Sequence, residues 1–249
     1  MARIFITGSS DGLGSLTAQR LIKQGHSVVL HARNAQRAAD AKKACPGSDA
    51  VLVADLTSIE ETKGLAAEAN KLGPFDAVVH NAGLFTGFEK VTGKSGLPSL
   101  FTVNVLAPYI LTALVEERPK RLVYVSSGLH EGGKTRLDSL EGSLYADSKL
   151  HDIMLAKAFA RRFRGVESNS VDPGWVPTKM GGSGATGDIE ESIGTYVMLA
   201  LGEGAAEGKT GRHFYNSQEK ACQECANDEA AQDELLKRLA EMSGVELPQ

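Results

Sequence analysis

Short β-branched and apolar runs alternate along the chain with longer stretches in which apolar positions recur at helical spacing. The runs predict strands over 3–7, 27–31, 50–54, 77–81, 121–126, 166–171 and 212–215. The periodic stretches predict helices over 13–24, 35–43, 59–72, 97–117, 145–163, 189–201 and 230–242. Val28, Val29 and Leu30, like Val51, Leu52 and Val53, form unbroken apolar triplets, as a strand buried on both faces requires. Segment 166–171 is far more polar and reads as a strand only from its place in the alternation. Strand-helix alternation of this kind predicts a doubly wound α/β architecture. The glycine cluster at 181–187 reads as a mobile loop, a lid rather than a domain boundary.

Composition narrows the class. At 249 residues, 42% apolar and 23% charged, the chain suits a globular protein and excludes fibrous or wholly disordered readings. The 27 basic and 31 acidic side chains leave a formal net charge of −4, so no global positive field exists to hold nucleic acid or an anionic membrane. Three cysteines are too few for a disulfide scaffold. No window approaches the roughly 18 uninterrupted apolar residues of a membrane span, and no secretory pattern opens the chain. A soluble cytoplasmic protein without nucleic-acid or membrane partners is expected.

The first predicted strand runs into Thr7-Gly8-Ser9-Ser10-Asp11-Gly12-Leu13-Gly14, immediately ahead of an amphipathic helix. Glycines at 8, 12 and 14 permit positive φ and let backbone amides approach a pyrophosphate, while the helix N-terminus adds partial positive charge. An ordinary glycine-rich strand-to-helix turn would look similar. After the second strand, where a carboxylate would accept hydrogen bonds from a free ribose 2′-hydroxyl, the chain has Arg33 and no acid. A guanidinium suits a 2′-phosphate, so NADP(H) is expected over NAD(H), with a solvated arginine as the alternative. Asp55 is placed either to accept a hydrogen bond from the adenine amino group or to cap the helix that follows.

Tyr145 and Lys149 stand four residues apart, on one face of a predicted helix. An unperturbed phenol is about one part in a thousand ionised at neutral pH and needs help to exchange a proton. A neighbouring ammonium stabilises the phenolate, and the first turn of a helix pushes the same way, with Ser143 available as its cap. The same spacing also occurs in helices where it is only structural.

These pieces, with His80-Asn81-Ala82-Gly83 after the fourth strand, Asn104, Ser126-Ser127 at the end of the fifth and Pro173-Gly174, follow one another at family-like intervals. The combination resembles the short-chain dehydrogenases/reductases over roughly residues 3–215. The resemblance implies a Rossmann-type, doubly wound, seven-stranded parallel sheet with helices on both faces, and one dinucleotide-binding and catalytic domain over 1–249. It implies Gly8, Gly12 and Gly14 at the pyrophosphate, with Ser10, Leu13 and Leu56 as further cofactor contacts. Asn81, Ala82 and Gly83 would line the adenosine ribose, and Pro173, Gly174, Val176 and Thr178 would flank the nicotinamide. Ser127 would hydrogen-bond the substrate carbonyl. Tyr145 would donate the proton in reduction or remove it in oxidation. Lys149 would bind the nicotinamide ribose and lower the phenol pKa, and Asn104 would hold a proton-relaying water. Segment Ser126 to His130, the Arg33 turn and the terminal helix look most like the retinol-dehydrogenase-type branch.

The resemblance thus implies an NADP(H)-dependent oxidoreductase of carbonyl-reductase type, interconverting a ketone or aldehyde with its alcohol, in a family often homodimeric or homotetrameric. The long interval from Ser127 to Tyr145 departs from the commonest pattern and leaves the substrate-side contour open. Segments 84–96, 128–144 and 175–187 would form that contour, and Phe85, Phe88, Leu129, Leu144, Trp175 and Met180 suggest a hydrophobic or aromatic substrate. The rival reading is a dinucleotide-binding sensor or a non-redox enzyme on the same fold. Cys222 and Cys225 supply half a zinc site, so no metal is expected. His130 and His151 are expected to line the pocket or face water, Asp172 to make a strand-end hydrogen bond, and Trp175 to be either a substrate platform or core.

Overall fold

Within strand β1 (Arg3–Ile6), Phe5 joins one apolar cluster while Ile4 and Ile6 join another on the opposite face. That is the alternation of a strand covered on both sides. The same division recurs in β2 (Ser27–Ala32), where Val29 sides with Phe5 and Val28 and Leu30 with the isoleucines. It recurs again in β4 (Ala77–His80) and β5 (Arg121–Val125), through Val78 and Leu122 against Val79 and Val123. With β3 (Ala50–Val53), β6 (Glu167–Asp172), β7 (His213–Tyr215) and β8 (Gln218–Glu219), these strands form one sheet in the order β3-β2-β1-β4-β5-β6-β7-β8. The computed structural model describes residues 1–248.

Helices α1 (Gly12–Lys23), α2 (Ala35–Ala44) and α7 (Ile189–Leu201) cover the isoleucine face. Helices α3 (Ile59–Leu72), α5 (Ala107–Leu114), α6 (Tyr145–Arg162) and α8 (Glu229–Ser243) cover the Phe5 face. The strand order reverses between β1 and β4, so the connections diverge there and leave a crevice beyond the strands' carboxyl ends. Among the described residues no helix is long and apolar enough to cross a membrane.

Two expectations need correction. The sheet is not a purely parallel seven-stranded one: Asn216 and Ser217, at φ 46° and 56°, reverse the chain, and β8 pairs antiparallel with β7 at the edge. Gln218 and Glu219 are exposed, so no apolar run announced this strand. The helix expected over 97–117 is instead a short α4 (Ser99–Phe101), a π-helical stretch at Thr102–Leu106 and α5. Pro108 has no N–H to give to the Asn104 carbonyl and its ring would crowd that oxygen, which is the local reason the α-helical ladder breaks. The glycine cluster at 181–187 is tied to Trp175 at both ends: Trp175 Nε1 donates to the Gly181 carbonyl and Gly187 N–H to the Trp175 carbonyl, both at 2.8 Å.

The polar strand β6 is a strand, and its side chains are satisfied inside the sheet. Ser168 donates to the Ala156 carbonyl at 2.8 Å, Asn169 to the Lys209 carbonyl at 2.8 Å, and Ser170 lies 2.9 Å from His213 Nδ1. Burial holds four histidines, His31, His80, His151 and His213, below the usual imidazole range, the second and fourth at about 3. In the fold they are neutral, whereas the unfolded chain protonates them below about pH 6.5. Their contribution is therefore present above that pH and lost as pH falls toward 3. Lowering the pH from 7.5 to 5.5 is expected to cost roughly 1 kcal/mol for each of His80 and His213, read as a falling urea midpoint.

Candidate active site

Loops leaving the carboxyl ends of β1 to β6 enclose a cleft of about 420 Å³. At the β1 end, Gly8 and Gly12 take φ of 62° and 54°. A Cβ at Gly8 would fall 2.7 Å from the Ala82 Cα, and one at Gly14 would fall 2.4 Å from Asn81 Nδ2, so both close approaches require glycine. Gly12 faces open space. The turn is braced from behind: Asn81 Nδ2 donates to the Thr7 and Gly8 carbonyls at 3.0 Å, and Thr7 Oγ1 accepts from the amides of Asn81 and Ala82. His31 Nδ1 accepts from the Gly8 amide at 3.0 Å, which leaves Nε2–H to donate to the Ala54 carbonyl at 2.9 Å. Asp11 stands at the N-cap of α1 without a side-chain hydrogen bond to the helix, its carboxylate paired with Arg37 and Lys179 instead. The first-turn amides of α1 thus have no side-chain cap, and with the open space at Gly12 they fit a diphosphate.

Ser10, Leu13, Arg33, Asp55, Leu56, Asn81, Ala82 and Gly83 all line the cleft, as expected. Arg33 is exposed at its mouth. The capping alternative for Asp55 is overturned: Ser58 caps α3 by accepting from the Glu61 amide, while Asp55 accepts from the Thr57 amide at 3.0 Å and hydroxyl at 2.8 Å.

At the other end α6 begins at Tyr145, with Leu144 at its N-cap. Ser143 is not the cap; its hydroxyl turns back to the Leu140 carbonyl at 2.6 Å. Asp147 does that work from the first turn: it accepts from the Leu144 amide at 2.9 Å and the Lys134 amide at 2.7 Å, and pairs with Arg136. The long insertion is thereby clamped to the helix that carries Tyr145. Tyr145 is 8% exposed, with Phe85 edge-on at 4.7 Å. The Lys149 ammonium lies 5.7 Å from the Tyr145 ring centroid and donates to the Val125 carbonyl at 2.7 Å and to Asp152 Oδ2 at 2.8 Å, leaving a third N–H. Burial pulls this ammonium down, but Asp152 and Tyr145 outweigh it and hold it above the ordinary lysine range. Burial in turn raises the Asp152 carboxyl to about 6 against the pull of Lys149.

Asn104 and Ser127 are next to this centre rather than in the cleft lining. Both Nδ2 protons and one Oδ1 lone pair of Asn104 are engaged: Oδ1 accepts from the Leu84 amide at 2.7 Å, and Nδ2 donates to the Leu84 carbonyl and Ser148 Oγ at 3.0 Å. Ser148 passes the chain on to the Tyr145 carbonyl at 2.7 Å. Ser127 Oγ accepts from the Leu129 amide at 3.2 Å. Ser126, its buried neighbour, lines the cleft and donates to the Lys149 carbonyl at 2.7 Å. Pro173 and Thr178 line the cleft, whereas Gly14, Gly174 and Val176 are not in its lining. Asp172 accepts from the Gly174 amide at 2.9 Å, the expected strand-end bond.

Other expectations resolve differently. His130 and His151 neither line the cleft nor face water: both are buried, bonded to the Ser127 and Thr135 carbonyls at 2.7 and 2.6 Å. Trp175 is 60% exposed and so not core. Cys222 and Cys225 are free thiols, and Cys225 donates to Gln223 Oε1 at 2.9 Å. Sequence reasoning missed His31, Asp152 and Tyr196. Asp152 could have been found as an acid three residues beyond Lys149 on one helix face. Tyr196 gave no signal, because a buried aromatic in an apolar helix reads as core.

The family model for short chain dehydrogenase matches residues 2–187. An uncharacterized oxidoreductase of Emericella nidulans is 49% identical over 254 residues, covering 100% of this chain and 99% of that protein. Retinol dehydrogenase 14 of Mus musculus is 31% identical over 208 residues, 72% of this chain and 62% of that protein. Among solved structures, a blue fluorescent protein from a metagenomic library, in complex with NADPH, superposes with a TM-score of 0.70 at 23% identity, covering 86% of this chain and 95% of that one.

The two glycines predict different failures. Gly14→Ala drives a methyl into Asn81 and should lower unfolding free energy by roughly 1–3 kcal/mol, whereas Gly12→Ala should lose about 1 kcal/mol to left-handed backbone strain alone. Urea unfolding of both variants measures the contrast.

Proposed function

Because the chain belongs to the short-chain dehydrogenase family of oxidoreductases, we propose that it interconverts a hydrophobic ketone or aldehyde with the corresponding alcohol, using NADP(H). The observation that carries this reading is the pairing of Tyr145 and Lys149 on the first turns of α6, with both side chains in the wall of a cleft whose other end fits a diphosphate. A bound nicotinamide supplies the hydride. Tyr145 Oη gives its proton to the substrate oxygen in reduction and recovers it in oxidation. The Lys149 ammonium stabilises the phenolate that remains, and its third N–H is free for a ribose hydroxyl. Asn104 acts through Ser148 on the Tyr145 main chain; with both Nδ2 protons spent, it would hold a water through a carbonyl oxygen, and Pro108 cannot bond its main-chain one. Ser127 retains a hydroxyl proton for a substrate carbonyl.

The rim supports an apolar substrate. Apart from Met1 and Val53, the large apolar side chains that stay exposed are Phe85, Phe88, Val91, Leu129, Leu144, Trp175 and Met180, all in segments 84–96, 128–144 and 175–187. Phe88, Val91 and Met180 line the cleft itself, and Phe85 packs on Tyr145. So much exposed apolar surface beside one cleft is what a ligand, rather than water, would cover. Arg33 at the cleft mouth and the lack of an acid at the end of β2 support NADP(H), and the NADPH complex of the metagenomic structural neighbour is in keeping with it.

Tyr145→Phe should retain dinucleotide binding and lose turnover on a panel of hydrophobic carbonyl compounds by roughly 10²- to 10⁴-fold, the usual worth of a general acid. Undiminished NADPH consumption by this variant would remove Tyr145 from the reaction. For the cofactor, Arg33→Ala should weaken NADPH binding about 10- to 100-fold and leave NADH binding unchanged, as titration by nucleotide fluorescence would register.

A further inference from the structure

Tyr196 on α7 is fully buried, and its hydroxyl has no hydrogen-bond partner among the described residues. Four other buried polar atoms share that condition: Thr17 Oγ1 and one ring nitrogen each of His80, His151 and His213. None of those four residues lines the cleft; Tyr196 does. A phenol buried without a partner costs free energy that phenylalanine in the same place would not. The hydroxyl therefore calls for a partner the described residues do not provide, and the cleft that Tyr196 lines is where one would sit.

Its place in the cleft follows from α7. Ser192, one turn earlier on the same helix face, donates to the Pro173 carbonyl at 2.6 Å. Tyr196 is thus held under the end of β6, at the Tyr145 end of the cleft and away from Arg33 and Asp55. Burial raises this phenol well above the ordinary tyrosine range, and the ionisable groups that face it, Tyr145, Asp172 and Asp152, push the same way, so it keeps its proton and acts as a donor.

We propose that Tyr196 is a cofactor-binding residue whose hydroxyl donates a hydrogen bond to the nicotinamide half of the dinucleotide. That half offers acceptors in its ribose, carboxamide and phosphate oxygens. The inference rests on the cofactor reading above, and the experiment separates the two. Wild type and Tyr196→Phe are titrated with whichever of NADPH and NADH binds more tightly, and with the matching adenosine-half fragment, 2′,5′-ADP or ADP. The variant should bind the full dinucleotide roughly five- to twentyfold more weakly, the worth of one hydrogen bond, with fragment affinity unchanged. Its thermal midpoint without ligand should equal or exceed that of wild type, because the unpaired hydroxyl is gone. Unchanged dinucleotide affinity, or an equal loss for dinucleotide and fragment, overturns the role of Tyr196 while the cofactor reading stands. Failure of wild type to bind either dinucleotide overturns both.

Discussion

The Lys149 ammonium lies beneath the cleft at 5% exposure, and a cation taken that far out of water must be met by fixed partners. The fold provides two from different elements: the Val125 carbonyl at the end of β5 and the Asp152 carboxylate one turn along α6. Because one partner is the last residue of a central strand, the ammonium fixes α6 against the sheet as firmly as apolar packing does. Tyr145 is one turn before Lys149 on the same helix, so its position follows.

Around that pair, side chains are used to shape backbone. Asn81, Thr7 and His31 hold the glycine turn in the form that presents the amides of α1. Asn104 likewise spends Nδ2 and one Oδ1 lone pair on the loop at Leu84 and on Ser148, while Pro108, four residues on, has no N–H to give to its carbonyl. In both places the side chain fixes the direction of main-chain groups.

The substrate side is built differently. Asp147 clamps the long insertion to the first turn of α6, and Trp175 closes segment 175–187 onto itself through the Gly181 carbonyl. Both segments then leave apolar side chains exposed near Tyr145. Backbone hydrogen bonds give these loops their shape, so their apolar residues are available to a ligand and not consumed in the core.

Much of this was legible in the chain itself. Strands such as 28–30 show as apolar runs because both faces of a parallel strand are buried, and the glycines, Arg33, Tyr145 and Lys149 show because their chemistry permits few other residues. The two-residue β8 and the roles of His31 and Tyr196 were not legible, whereas the polar strand β6 showed by its place in the alternation, and the π-helical break at Pro108 and Asp152 beside Lys149 carried local signals. The role of His31 depends on a partner far away in sequence, Ala54, and that of Tyr196 on the lack of one. The sequence by itself determined periodicity and residue chemistry, which are local. Tertiary structure alone decided which buried polar groups are satisfied, because a hydrogen bond is set by distances that only the folded chain defines.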